Sequence, residues 1–184
     1  MFASEAQEAK KRAGRTALIA PVVLACAACT PSLNWREWRS DETGLVQAFP
    51  CKPARQQRQV TIAGRAQLLV LEVCDADGVS WALAHTQASE PAAVGPLLDA
   101  LAAAAHANLG VVRSSLRPHA VPGATPQAAA GRYAFAGRDP RGRALQAQVL
   151  VFARGLLVVQ LTALGEQVPE AAVETFFGSV RAGA

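Results

Sequence analysis

The chain has 184 residues, 51% of them apolar, 17% charged and 5% aromatic, with a formal net charge of +4. That length suits one domain with a terminal extension and leaves little room for two full-sized ones. The apolar fraction and modest charge exclude disorder throughout, and four cysteines are too few for a disulfide-built miniprotein. Arginine outnumbers lysine 15 to 3, a bias that a GC-rich genome explains without invoking an acidic partner.

The first thirty residues carry the strongest signal. Lys10, Lys11, Arg12 and Arg15 form a basic cluster, after which residues 16–28 run uncharged to Ala27-Ala28. A membrane-crossing helix needs about 20 apolar residues, so this stretch is too short to span. Its length, its closing small residues and Pro21 fit the apolar core of a secretory signal. The acidic residues 1–9 are odd ahead of a signal and fit a start site set too far upstream.

Leu24-Ala-Cys-Ala-Ala-Cys29-Thr-Pro-Ser resembles the lipobox of bacterial lipoproteins. The resemblance implies diacylglycerol on the cysteine thiol, cleavage before that cysteine and acylation of the new amino terminus. Cys29, behind Ala27-Ala28 and ahead of a polar linker, is the expected lipidation site. Cys26 is the alternative: it stands three residues before Cys29, where leucine is usual, and has Val23 at its own third place. The implied partner is a membrane, held durably because several acyl chains bind where one is marginal. By resemblance to lipoprotein sorting in bacteria with two membranes, Thr30 after the cysteine, not aspartate, implies the outer membrane with the domain facing the periplasm. An ordinary signal cleaved near Ala28 would leave a soluble periplasmic protein, and an uncleaved segment an inner-membrane anchor. The expected organisation is a signal at 1–28, a linker at 29–34 and one domain at 35–181. Loss of residues 1–28 roughly halves the net charge, so basicity says little about partners.

Export leaves Cys51 and Cys74 in the mature domain, and an exported pair is expected to bond. A hairpin turning at Gly64-Arg65 would set Arg55 opposite Cys74, and Lys52-Pro53 would turn Cys51 back toward that strand end. A metal site is the rival, and no histidine lies between the two cysteines.

Within the domain, Trp35 to Arg39 opens the fold and Leu45 to Phe49 forms a strand ended by Pro50 and Pro53. Gln59 to Ala63 and Ala66 to Cys74 read as a hairpin whose second arm, apolar on both parities, should be central and covered. Asp75 to Gly78 is a turn. Val79, Trp81, Leu83 and His85 then alternate with smaller residues as a half-buried strand. Ser89-Glu90-Pro91 predicts a capped helix start, and Val94, Leu97, Leu98, Leu101, Ala105 and Leu109 make one apolar stripe before Gly110. Residues 117–127 read as a loop, and Gln127–Phe135, Arg143–Ala153 and Leu156–Leu164 as strands. A short helix after Pro169 should bury Val173, Phe176, Phe177 and Val180. The expected class is α+β, an antiparallel sheet with one long and one short helix packed on it.

Leu45-Val-Gln-Ala-Phe49-Pro50-Cys-Lys-Pro53, followed by hairpin, long helix, hairpin and a terminal Phe-Phe-Gly-Ser179 helix, resembles PsbP-like domains over residues 35–181. Cys51 stands where that opening usually has glycine. The family spans photosystem accessory subunits, a Ran-binding factor and bacterial envelope proteins. They share a fold without a common active site, so no functional residue carries over.

Catalytic patterns are missing from the sequence. The histidines at 85, 106 and 119 show no zinc-ligand spacing, and neither Gly-x-Ser-x-Gly nor a phosphate loop occurs. No metal, cofactor or enzymatic activity is expected. His85 shares the parity of Trp81, which makes the two a possible pocket or contact pair. His106 sits near the last turn of the long helix, where an imidazolium suits the dipole. Arg132, Arg138, Arg141 and Arg143 surround the Gly137–Gly142 turn as a basic hairpin tip. Arg138 and Arg141 there are candidate contacts for anionic headgroups or an acidic partner, and a solvated turn is the plainer reading. Trp35 and Trp38 suit either a membrane interface or the core. Export and the lack of interleaved exposed aromatics argue against nucleic acid. The expected function is a non-catalytic envelope lipoprotein that binds an envelope protein or aids assembly. The alternative is a small-molecule or lipid-binding periplasmic domain with an apolar pocket.

Overall fold

The computed structural model describes residues 33–182 with the exception of Arg113, so Cys26, Cys29, Thr30 and the segment 1–28 lie outside the described residues. In chain order its strands and helices are β1 (Arg36–Arg39), β2 (Leu45–Phe49), β3 (Ala54–Ile62), β4 (Arg65–Ala76), β5 (Val79–Gln87), α1 (Val94–Ala107), β6 (Leu116–Arg117), β7 (Gly131–Arg138), β8 (Ala144–Arg154), β9 (Leu157–Gly165), α2 (Glu170–Gly178) and β10 (Arg181–Ala182). One antiparallel sheet runs in the order β3-β4-β5-β9-β8-β7-β6, and a smaller one in the order β1-β2-β10. The architecture is α+β.

Strand parity divides the core in two. On one face of the large sheet Trp81, Leu83, Leu150, Phe152, Val159 and Leu161 meet Leu45 and Phe49 of β2 and Val173, Phe176 and Phe177 of α2. On the other, Val149, Val151 and Val158 meet the α1 stripe of Val94, Leu97, Leu98 and Leu101. The large sheet is therefore covered by α1 on one side and by the small sheet with α2 on the other. Burying side chains of this size stabilises by about 1.5–3 kcal/mol each.

Trp35 and Trp38 both pack inward. Trp35 stands edge-on to Trp81 at 6.0 Å and Trp38 edge-on to Phe49 at 6.1 Å, while Phe176 meets Trp81 at 5.1 Å and Phe49 at 5.4 Å. Edge-on pairs of this kind add about 0.5–1.5 kcal/mol beyond area burial.

The disulfide joins Cys51 to Cys74 with Cα atoms 5.9 Å apart, but the hairpin behind it differs from expectation. β3 begins at Ala54, and Ile62 pairs with Arg65 across Ala63-Gly64, so Arg55 faces Glu72 and not Cys74. The cause is the turn: Ala63 and Gly64 have φ values of 50° and 74°, the doubly positive geometry of a two-residue hairpin loop. That shifts the register by two and brings Cys51 beside Cys74 without a sharp reversal.

Other boundaries moved for local reasons. The helix opens through a single 3-10 turn, Pro91–Ala93, with no side-chain cap. Ser89 is instead engaged by Arg65, whose Nη1 donates to its hydroxyl at 3.1 Å. β7 starts at Gly131 because the Ala130 amide turns back to the Gln127 carbonyl at 3.1 Å. β4 is internal as expected, yet its Leu69, Leu71 and Val73 are only half-buried, since α1 lies mainly over β8 and β9.

Candidate functional site

His85 is the residue around which a site can be built. Register pairs it with Val70 on β4 and Val159 on β9, on the face of Trp81 but two residues beyond Leu83, where the aromatic core ends. The turn between β1 and β2 closes over this place. A pocket of about 400 Å³ results, lined by Glu42 and Thr43 from that turn, Gln67, Leu68 and Val70 from β4, His85, Thr86 and Gln87 from β5, and Arg154 and Leu157 from the β8–β9 corner. His85 is 4% exposed, and its Nε2 is buried with no hydrogen-bond partner. Burial pushes its pKa down, Glu42 pulls it up and Arg55 adds to the lowering.

The charges beside the pocket are unequally matched. Arg55 donates to Glu42 Oε2 at 2.5 Å and lies 3.7 Å from Glu72 Oε1. That guanidinium holds the Glu42 carboxyl below its ordinary value, against a smaller opposing effect of desolvation. Glu72, 4% exposed, is shifted upward by burial, Arg55 offsetting part of the shift. Arg154 reaches only the Thr43 carbonyl, at 3.5 Å, and no carboxylate of the described residues lies within ion-pair distance of it.

The other predicted residues lie elsewhere. Trp81 is 0% exposed and sits in the aromatic core, so it does not share a pocket with His85. Arg138 and Arg141 lie at the β7–β8 turn, the opposite end of the sheet. There Arg138 donates to the Gly142 carbonyl, and Asp139 accepts from the amides of Arg141 and Arg143 and from the Arg143 side chain. The tip is thus internally bonded, with its charge partly matched. Arg132 does not belong to it: it is 8% exposed and points to α2, bonded to Glu170 at 2.6 Å and to Glu174.

His106 is buried rather than displayed at a helix end. Its Nδ1 is 2.7 Å from the Ala102 carbonyl and its Nε2 2.6 Å from the Ser114 hydroxyl, and its ring stacks on Phe135 at 4.2 Å. Ser114 and His106 make a hydroxyl–imidazole pair, but a backbone carbonyl stands where a triad has its carboxylate. Among the described residues no group of three His, Cys, Asp or Glu side chains is placed to hold a metal ion.

A second concavity, a trough of about 480 Å³, separates α1 from the outer strands and is lined by Val60, Ile62, Leu69, Leu71, Leu101 and Leu145 among others. It shares no lining residue with the His85 pocket. Sequence reasoning missed Glu42, Gln67 and Arg154. Arg154 alone carried a signal, for it continues the inward parity of Leu150 and Phe152.

No protein-family model matches this chain, and no curated protein is significantly similar to it.

Proposed function

We propose that this chain is an exported bacterial lipoprotein, anchored through Cys29 to the outer membrane, whose PsbP-like domain is a non-catalytic accessory that binds an envelope protein. The observation that carries the reading is the Cys51–Cys74 bond, since such bonds persist in oxidising compartments and are rare in the cytosol. The order of hairpin, long helix, hairpin and terminal helix supports the PsbP-like part. The filled space around Trp81, walled by Trp35 and Phe176, favours recognition at the surface over an enclosed ligand. Globomycin treatment and a Cys29→Ala variant test the anchor. The expected result is accumulation of the larger precursor and loss of the mature form from the outer membrane. Unchanged size and membrane association in both would overturn it.

A second reading, a carrier of one acyl chain, is favoured by the trough beneath α1. Its lining is mainly valine, leucine, isoleucine and alanine, interrupted by Thr61, Asn108, Gln160 and Thr162, and Arg58 in that lining supplies a cation for a carboxylate head. Dansyl-undecanoate fluorescence tests it: saturable enhancement lost on Leu71→Asp supports the carrier, and no enhancement rejects it.

A further inference from the structure

We propose that the pocket between His85 and Arg154 is a binding site for a small monocarboxylate with a short apolar body. It is independent of the anchor and of the trough. A buried polar atom without a partner is uncommon and calls for an explanation. His85 Nε2 is such an atom, at 4% exposure of its residue, in a ring that lines a cavity of about 400 Å³.

The chemistry of the walls selects the ligand. Glu42 is already matched by Arg55 at 2.5 Å, whereas the Arg154 guanidinium meets only a carbonyl oxygen at 3.5 Å among the described residues. The pocket therefore offers an uncompensated fork of N–H donors, the group that best fits a carboxylate in bidentate fashion. His85 and Gln87, two residues apart on β5, line the same wall. Thr86 is turned to Gln67, its hydroxyl donating at 3.3 Å. The rest of the lining is Leu68, Val70 and Leu157. Leu68, 47% exposed, is one of three large apolar residues left open to water among the described residues, and a carbon chain of a few atoms would cover it. Bare inorganic anions leave that surface uncovered, and cations meet Arg154 unfavourably.

The test is a titration of the full-length protein, labelled with ¹⁵N-histidine, with sodium butyrate, butyramide, inorganic phosphate and butylammonium. His85→Gln assigns the His85 ring signals. Butyrate is expected to move them saturably and to raise the thermal midpoint, and the other three probes are expected to leave them in place. Arg154→Gln should weaken butyrate at least tenfold while the His106 ring signals, which report the α1 packing, stay unchanged. Leu68→Ser should weaken butyrate several-fold and leave acetate unaffected, and it serves as the second variant if Arg154→Gln fails to fold. The proposal is overturned if butyrate produces no saturable shift, if butyramide or phosphate produces an equal one, or if Leu68→Ser weakens acetate and butyrate alike.

Discussion

Cys51 and Cys74, 5.9 Å apart at Cα, tie the chain leaving β2 to an internal strand of the large sheet. The bond closes a loop with a sequence separation of 23, worth about 3 kcal/mol on the chain-entropy account. It also fixes the small sheet over Trp81. The Cys51→Ser/Cys74→Ser double variant is therefore expected to lose about 2–4 kcal/mol, read as a lower urea midpoint. Two titratable thiols in the folded, unsubstituted protein would refute the bond itself.

Arg132 holds α2 against the sheet. Its guanidinium meets Glu170 and Glu174, its Nε donates to Gln148 Oε1 at 3.1 Å, and its carbon lies 5.2 Å from the Phe177 ring centre. The arginine is buried and the two glutamates are exposed, so the two sides of the bridge are unequal. Arg132→Ala should cost about 1–3 kcal/mol through lost hydrogen bonds and packing. Glu170→Gln or Glu174→Gln singly should each cost under about 1 kcal/mol. Urea unfolding of the three variants checks this, and equal losses in all three would contradict it.

Periodicity made much of this fold legible. Leu45–Phe49 forms as read, and β8, β9 and α2 fall within a residue or two of expectation, because each carries a clean apolar pattern bounded by proline or glycine. β6 and β10 were not legible, since two-residue strands exist only through the neighbours they pair with. The parity of His85 was readable from Trp81 and Leu83. Its pocket was not, because Glu42, Gln67 and Arg154 come from three distant turns and strand ends. Gln47 shows the same limit: a polar residue in the middle of β2, it is fully buried because its amide donates to the Phe176 carbonyl at 2.7 Å at the end of α2. Arg132 was hidden by the abundance of arginine around it.

Gly137 on β7 touches the chain that leaves α1. A Cβ there would collide with the Leu109 carbonyl oxygen and approach Leu109 Cβ to 2.9 Å, where the Arg138 amide already donates to that same oxygen at 3.0 Å. Backbone cannot swing aside as a side-chain tip does. Gly137→Ala should therefore destabilise by about 1–3 kcal/mol through overpacking, with earlier hydrogen exchange at Arg138 and Val111. A thermal midpoint equal to that of the unsubstituted protein would show that the strand can shift freely.

Stability should respond to pH through Glu72 on β4, His85 on β5 and Glu42 in the turn that faces them. Burial raises the Glu72 pKa above its ordinary 4.5. An acid raised on folding contributes stability below its unfolded value and loses it as the pH climbs through its folded one. His85 moves oppositely in pKa, its burial lowering it below 6.5. The unfolded chain then takes up that proton more readily, so stability falls as the pH drops from 6.5 toward the folded value. Glu42, held low by Arg55, gives stability that is lost only as the pH falls below 4.5 through its folded value. Glu72→Gln should accordingly gain on the unsubstituted protein as pH rises above 4.5, whereas His85→Gln should flatten the fall below 6.5. Urea unfolding across that range reads both, and curves parallel to that of the unsubstituted protein would mean that neither group is desolvated as its position requires.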